Sequence, residues 1–349
     1  MRVVVIGGGV MGACTAYYLT EKGGCEVTVV ERCDDVATQA SGKAGGFLAA
    51  DWHQEPNATL ARLSFRLHEE LAEKLGNVQD YRRVTTYSLS ADKGAAEDVL
   101  FGSRRPRNVI GSEETTAQVH PAKFTRAMMQ AAVDRGAELC LGTAVDGVET
   151  SDGRVTGVRL AGGDVLACDA VVIAMGPWSA LASDWFDALP RVHCDKASSI
   201  TLHPNASPTA SCLFLGDIPG GVKFQHPEIY PRPDGEVYVC AGDGGKHELP
   251  ADPATVRPGD GDADRLHDIA ALVSPTLAAT SVSVSQACFL PYSPHGVPMI
   301  GPVAGADGLY AATGHSVWGI LLGPATGKAL AERMLDGRAS CIDLDPFKV

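Results

Sequence analysis

The sequence predicts a two-lobed α/β protein. One lobe is built on a parallel sheet and assembled from separate pieces of chain; the other is mostly antiparallel β (α+β). Three observations predict it. The chain opens on an apolar run that stops in a glycine cluster and restarts as a helix, "VVVIGGGVMGACTAYYL". Residues 191–289 change texture, with frequent prolines and short β-like runs such as "SSITLHP", "EVYVCAG" and "TSVSVSQACFL". Residues 290–349 then return to a strand, a glycine turn and a helix, in "GLYAATGH" and "GPATGKALAERMLDG".

The opening element carries the most specific signal. Val3 to Ile6 is long enough for one buried strand. Gly7, Gly8 and Gly9 stop it, and Gly12 follows at the start of a stretch that reads as a helix (Met11, Ala13, Ala16, Tyr17, Leu19), so Gly7, Gly8, Gly9, Val10, Met11 and Gly12 are the candidate cofactor-binding residues of this turn. This order brings backbone N–H groups and a helix N-terminus to one point, a site for a pyrophosphate. Gly7 allows the tight turn, Gly9 lets the backbone approach the phosphates, and Gly12 lets the helix pack on the strand. "CEVTVVER" predicts a second strand ending at Glu31, nineteen residues after Gly12. An acid there accepts hydrogen bonds from the ribose hydroxyls, which argues for FAD or NAD over NADP. Arg32 is placed at the same ribose end.

The remaining elements follow in order. "VATQASGKAGGFLAADW" is a loop of small residues. Asn57 is expected to cap a helix with Leu60, Leu63, Leu67, Leu71 and Leu75 on one face. "RRVTTYSLS" reads as short strands. "HPAKFTRAMMQAAVDRGA" reads as a helix with Pro121 in its first turn and Gly136 past its end. "AELCLGTAV" is a third strand candidate, and the turns "SDGR" and "AGGD" mark hairpins. "DAVVIAMGPWS" is a buried strand ended by Gly176, and Asp264 to Val273 is a helix within the second lobe. The nucleotide lobe is thus expected from residues 1–50, 118–190 and 290–349, and the substrate lobe from 51–117 and 191–289.

Bulk properties narrow the function. The chain has 349 residues, 45% hydrophobic and 20% charged, which suits a globular enzyme. A net charge of −13 disfavours nucleic acid or an anionic membrane surface as partner. The longest apolar stretch, Ala170 to Ala182, is too short to span a bilayer. No signal-peptide pattern opens the chain, so the expected location is cytoplasmic. Ten cysteines occur without C-x-x-C spacing, which predicts reduced thiols and neither a metal site nor a dithiol relay.

Several stretches in order resemble the D-amino-acid-oxidase-like family of FAD-dependent oxidoreductases, which includes glycine oxidase and sarcosine oxidase. They are the opening motif with Glu31, "QASGKAGGFLA", "VHPAKFTRAMMQAAVDRGAEL", "DAVVIAMGPWS", "YPRPDGEVYV", "PYSPHGVPMIGPV" and "GLYAATGHSVWGILLGPATGKALAERM". The resemblance implies noncovalently held FAD. It implies that Ser41, Ala44, Gly45 and Gly46 touch the isoalloxazine and that the backbone at Val145 holds adenine. Gly176 would lie beside the nucleotide. Gly314, His315, Gly319 and Ile320 would pass the pyrimidine edge, with a helix from about Pro324 pointing its N-terminus at the flavin. The implied reaction is oxidation of a C–N bond in a small amine or amino acid. Hydride goes to flavin N5, the imine hydrolyses, and O2 or another acceptor takes the electrons.

Trp52, His53, Tyr230, Arg232, Tyr292, His295, His315 and Trp318 are candidates for the substrate side, with His315, Arg232 and Tyr230 foremost. The chain departs from the family at three places. Leu290 stands where glycine oxidase-like chains carry an arginine for the substrate carboxylate. "VYVCAG" lacks the lysine that sarcosine oxidase-like enzymes hold over the flavin. His295 replaces an aspartate. Secondary or hydrophobic amines are therefore expected as substrates rather than zwitterions. Cys288 occupies the register of the cysteine that bonds flavin covalently in sarcosine oxidase-like enzymes. Two other readings remain at this point: a flavin-bound assembly protein without turnover, and an NAD-dependent dehydrogenase.

Overall fold

The computed structural model describes residues 1–90, 98, 100–101, 108–216, 225–242, 245 and 247–349. Strand Arg2–Ile6 lies inside a six-stranded sheet, parallel to Glu26–Val30 on one side and Ala170–Ile173 on the other. Glu138–Cys140 and Leu309–Thr313 extend the two sides in parallel, and Met299–Pro302 closes one edge antiparallel. Helices Val10–Lys22, Pro121–Val133 and Gly319–Asp336 share a core with one face. An antiparallel meander of Val145–Ser151, Arg154–Leu160 and Val165–Ala167 covers the other. A sheet covered on both faces explains why these strands are apolar runs without alternation.

The second sheet has seven strands in the order Val282–Tyr292, His193–Leu202, Val237–Gly242, Gln225–Pro231, Ser211–Gly216, Thr85–Ser90, Val109–Gly111. It is antiparallel except where Ser211–Gly216 runs parallel to Thr85–Ser90. Helix Asp262–Val273 backs it, burying Leu266, Ile269 and Val273 against Ile200, Ile229 and Val239. The opposite face carries Cys212, Tyr230 and Tyr238 and meets Phe47 and Trp318 from the first lobe.

Three expectations need correction. Helix Asn57–Lys74 forms as expected, but Asn57 does not cap it. Pro56 is the cap and is already helical, at φ −83° and ψ −12°, whereas a capping side chain needs extended backbone. This helix also packs Leu60, Phe65, Leu67 and Leu71 into the core of the parallel-sheet lobe, not the substrate lobe. A lobe boundary at 289/290 falls within one continuous strand, Val282–Tyr292, whose last residues still pair with His193–Asp195.

The closing helix begins at Gly319, with Pro324 inside it rather than at its start. Proline has no N–H to give the carbonyl four residues earlier, here Ile320. The helix Asn57–Lys74 repairs the gap. His68 Nε2 donates to the Ile320 carbonyl at 2.9 Å, and Ser64 Oγ accepts from the Ala325 N–H at 3.0 Å. Both side chains are fully buried. Among the described residues no helix is long and apolar enough to cross a membrane, and no group of His, Cys, Asp or Glu could hold a metal ion. All ten cysteines are free.

Candidate active site

A cleft runs along the edge of the parallel sheet where the parallel strands end, the position where open α/β sheets bind ligands. At Gly7 the backbone has φ +113°, and a Cβ would meet the Ala174 carbonyl oxygen at 2.4 Å. A Cβ at Gly12 would meet the Gly7 carbonyl oxygen at 1.9 Å, so this glycine sets the helix against the strand. Gly9 differs. Its φ of −77° is open to any residue, and its Cβ would approach only Ser41 Oγ, at 3.1 Å. The space it leaves opens into the cleft.

The N-terminus of Val10–Lys22 faces this space with no cap from Gly9 and no acid in its first turn. Ser41 Oγ accepts from the Val10 N–H at 2.9 Å. Glu31 also lines the cleft, its carboxylate accepting from the N–H of Gly8 at 2.5 Å and of Cys33 at 2.8 Å. Arg32 and Val145 line the same end of the cleft, with Met11, Gly176 and Ala44 farther along.

His315, Gly319 and Ile320 line the other end, beside Leu290. His315 is buried and bonds Thr326 Oγ1 through Nε2 at 3.0 Å, leaving Nδ1 without a partner. Burial pulls its pKa down to about 3, so the ring is neutral at ordinary pH. An orphaned polar atom in the wall and an open cradle at Gly9 fit a bound flavin dinucleotide. Gly8, Gly45, Gly46 and Gly314 do not line the cleft; they shape its loops. A Cβ at Gly45 would strike the Tyr230 ring at 2.3 Å, at Gly46 the Val119 carbonyl oxygen at 2.0 Å, and at Gly314 the Ser293 side chain at 2.8 Å.

The substrate-side candidates separate. Trp52 and Trp318 join Phe47, Phe214 and Tyr230 in one aromatic cluster, and the His53 ring lies 4.5 Å from Trp318. Tyr292 lines a small second cavity with His315 and Trp318. His295 is exposed in a turn and stays outside the cluster. Arg232 is buried and ion-paired to Glu236, with its guanidinium 5.2 Å from the Tyr238 ring and one nitrogen 3.3 Å from the Ala44 carbonyl oxygen. Its charge is already committed, which leaves it a poor clamp for a substrate carboxylate.

One residue escaped the sequence reading. Glu228 lies two positions before Tyr230 in the same strand, and the Tyr230 hydroxyl donates to its carboxylate. The signal was present in "QHPEIYP", where an acid shares a strand face with a tyrosine. It could be recognised only once that face was known to point inward.

Cys288 is buried outside the cleft lining, and burial raises its thiol to about 11 against the opposing pull of Lys43. So little thiolate disfavours attachment to the flavin. On acid precipitation the yellow colour is expected in the supernatant. Colour kept in the pellet, and lost from the pellet in Cys288→Ala, would establish a covalent bond instead.

A parallel sheet, a glycine turn, a helix N-terminus open to the cleft and an acid at the second strand's tip together define a dinucleotide-binding protein. The family model for FAD dependent oxidoreductases matches residues 2–333. A glycine oxidase of Pseudomonas aeruginosa is 30% identical over 99% of this chain and 98% of its own length. An oxidoreductase of Schizosaccharomyces pombe is 29% identical over 99% of this chain and 96% of its own length. The crystal structure of glycine oxidase from Geobacillus kaustophilus shares the fold, with a TM-score of 0.82 at 23% identity over 99% of this chain and 98% of that one. The chain belongs to the FAD-dependent oxidoreductase family, and its cofactor is FAD. An NAD-dependent dehydrogenase is thereby set aside.

Proposed function

We propose that the protein oxidises a carbon–nitrogen bond of a small amine whose substituents are mainly apolar. When bound, FAD would supply the two-electron acceptor for oxidation at the carbon that bears the nitrogen. The chain's own groups do the rest. The helix end at Gly9 and Ser41 would hold the pyrophosphate, and Glu31 the ribose. Gly319 and Ile320, at the start of helix Gly319–Asp336, line the cleft, and the helix dipole would favour negative charge on a reduced flavin ring held there. The aromatic cluster excludes water and orients the substrate. His315, held neutral, is not a proton donor.

The observation that carries the substrate preference is Leu290 in the cleft wall, together with the pairing of Arg232 to Glu236. A carboxylate buried there would lack a partner, at a cost of several kcal/mol. Relatives named glycine oxidase and D-amino acid dehydrogenase support C–N oxidation as the reaction class. The test is anaerobic bleaching of the yellow protein by a panel of amines. Secondary and hydrophobic amines are expected to bleach it. Efficient turnover of glycine or D-alanine would overturn the preference, and silence across the panel would favour an assembly role without turnover.

A further inference from the structure

Glu228 lies within strand Gln225–Pro231, between Phe214 on one neighbouring strand and Cys240 on the other. This face of the sheet meets Phe47, Trp52 and Trp318. Phe47 and Trp318 stand close in sequence to Ala44 and Gly319, which line the cofactor cleft, so the carboxyl sits at the junction of the lobes. The Tyr230 hydroxyl donates to Glu228 Oε2, and the Cys240 thiol reaches the same oxygen at 3.8 Å. Among the described residues nothing donates to Oε1, and no lysine, arginine or histidine pairs with this carboxylate.

A carboxylate sheltered from water is ordinarily matched by a cation, because Coulomb attraction must offset lost hydration. Here the described residues supply none. Burial accordingly holds the Glu228 carboxyl up at about 7. The wall beside it is aromatic: Trp52 and Phe214 have ring centres 5.0 Å apart, and Phe47 and Trp52 4.9 Å apart. Ring faces carry negative electrostatic potential, so they attract cations. Carboxylate and rings therefore select one sign of charge, and both disfavour an anion.

We propose that Glu228 is the anchor for the protonated nitrogen of the substrate, with the Phe47, Trp52 and Phe214 rings receiving its alkyl or aryl substituents. The ligand class is a cationic amine without a carboxylate. The proposal rests on the amine-oxidation reading above and adds the group that recognises the amine.

Benzyltrimethylammonium tests the anchor without turnover, because its quaternary nitrogen has no lone pair with which to form an imine. Added to the flavin-loaded protein, it is expected to quench tryptophan fluorescence saturably, while benzoate does not. Glu228→Gln, nearly the same shape, is expected to weaken this binding by about tenfold or more, with Glu228→Asp in between. FAD content per chain, measured for each variant, checks that the fold is kept. Equal affinity in the wild type and Glu228→Gln would overturn the anchor, as would no binding in the wild type or equal binding of benzoate. Bleaching by benzylamine separates the two claims. If it bleaches both proteins with the same half-saturation, the anchor fails and amine oxidation stands. If no amine bleaches the wild type yet cation binding still needs Glu228, the anchor stands and amine oxidation fails.

Discussion

Gly9→Val is expected to lose its FAD while the chain stays folded, and Cys33→Ala to stay loaded. The backbone at Gly9 is at φ −77° and ψ −178°, an extended conformation that valine adopts freely. Its new Cβ meets only the Ser41 hydroxyl, at 3.1 Å, so the fold loses little. The rest of the side chain then occupies the space where the pyrophosphate would approach the helix N-terminus. A fall in FAD affinity of at least tenfold, about 1.4 kcal/mol or more, is expected. Flavin bound per chain after gel filtration reads it, with circular dichroism as the control. Equal loading of the two variants would sink the opening motif as the phosphate site. Gly12 gives the contrast: a Cβ there collides with the Gly7 carbonyl oxygen, so its substitution is expected to damage the fold itself.

His68→Leu is expected to destabilise the protein by roughly 1–3 kcal/mol, the cost of leaving the buried Ile320 carbonyl without a donor. Pro324→Ala supplies the partner test. Alanine restores an N–H within reach of that carbonyl, so His68→Leu should cost less in the Pro324→Ala background. Identical costs in both backgrounds, measured by urea unfolding, would mean that the two residues do not share the carbonyl. The pH dependence follows from the same burial. His68 is held down at about 4, below the ordinary histidine value of 6.5, so the unfolded chain binds a proton that the native one refuses. Stability is full above pH 6.5 and falls as pH drops toward 4. His120 and His315, lowered to about 4 and about 3, act in the same direction. His68→Leu should flatten part of that slope, by roughly 2–3 kcal/mol between the two ends.

The site was legible in the sequence where backbone makes it. Gly7, Gly9, Gly12 and Glu31 could be placed because a strand, a turn and a helix fix their relative positions within about thirty residues. The meander and its Asp-Gly turn could be placed for the same local reason. Pro324 was misplaced as a helix start because propensity treats an internal proline as a break. It could not show that His68 and Ser64, far away in sequence, would take over the lost hydrogen bonding.

By itself, then, the sequence determined the strand, glycine turn and helix of the opening and the kind of each lobe, since both are written in short-range pattern: unbroken apolar runs for covered strands, short β-like runs broken by prolines for the second sheet, glycine where backbone must come close. Tertiary structure alone decided the charges of the substrate side. Arg232 stood as a substrate-side candidate until the fold put Glu236 against it, and Glu228, which no pattern singled out, became recognisable only when its strand face turned toward Phe47 and Trp52. A side chain's charge state depends on what surrounds it in three dimensions, and those neighbours come from strands and loops far apart along the chain.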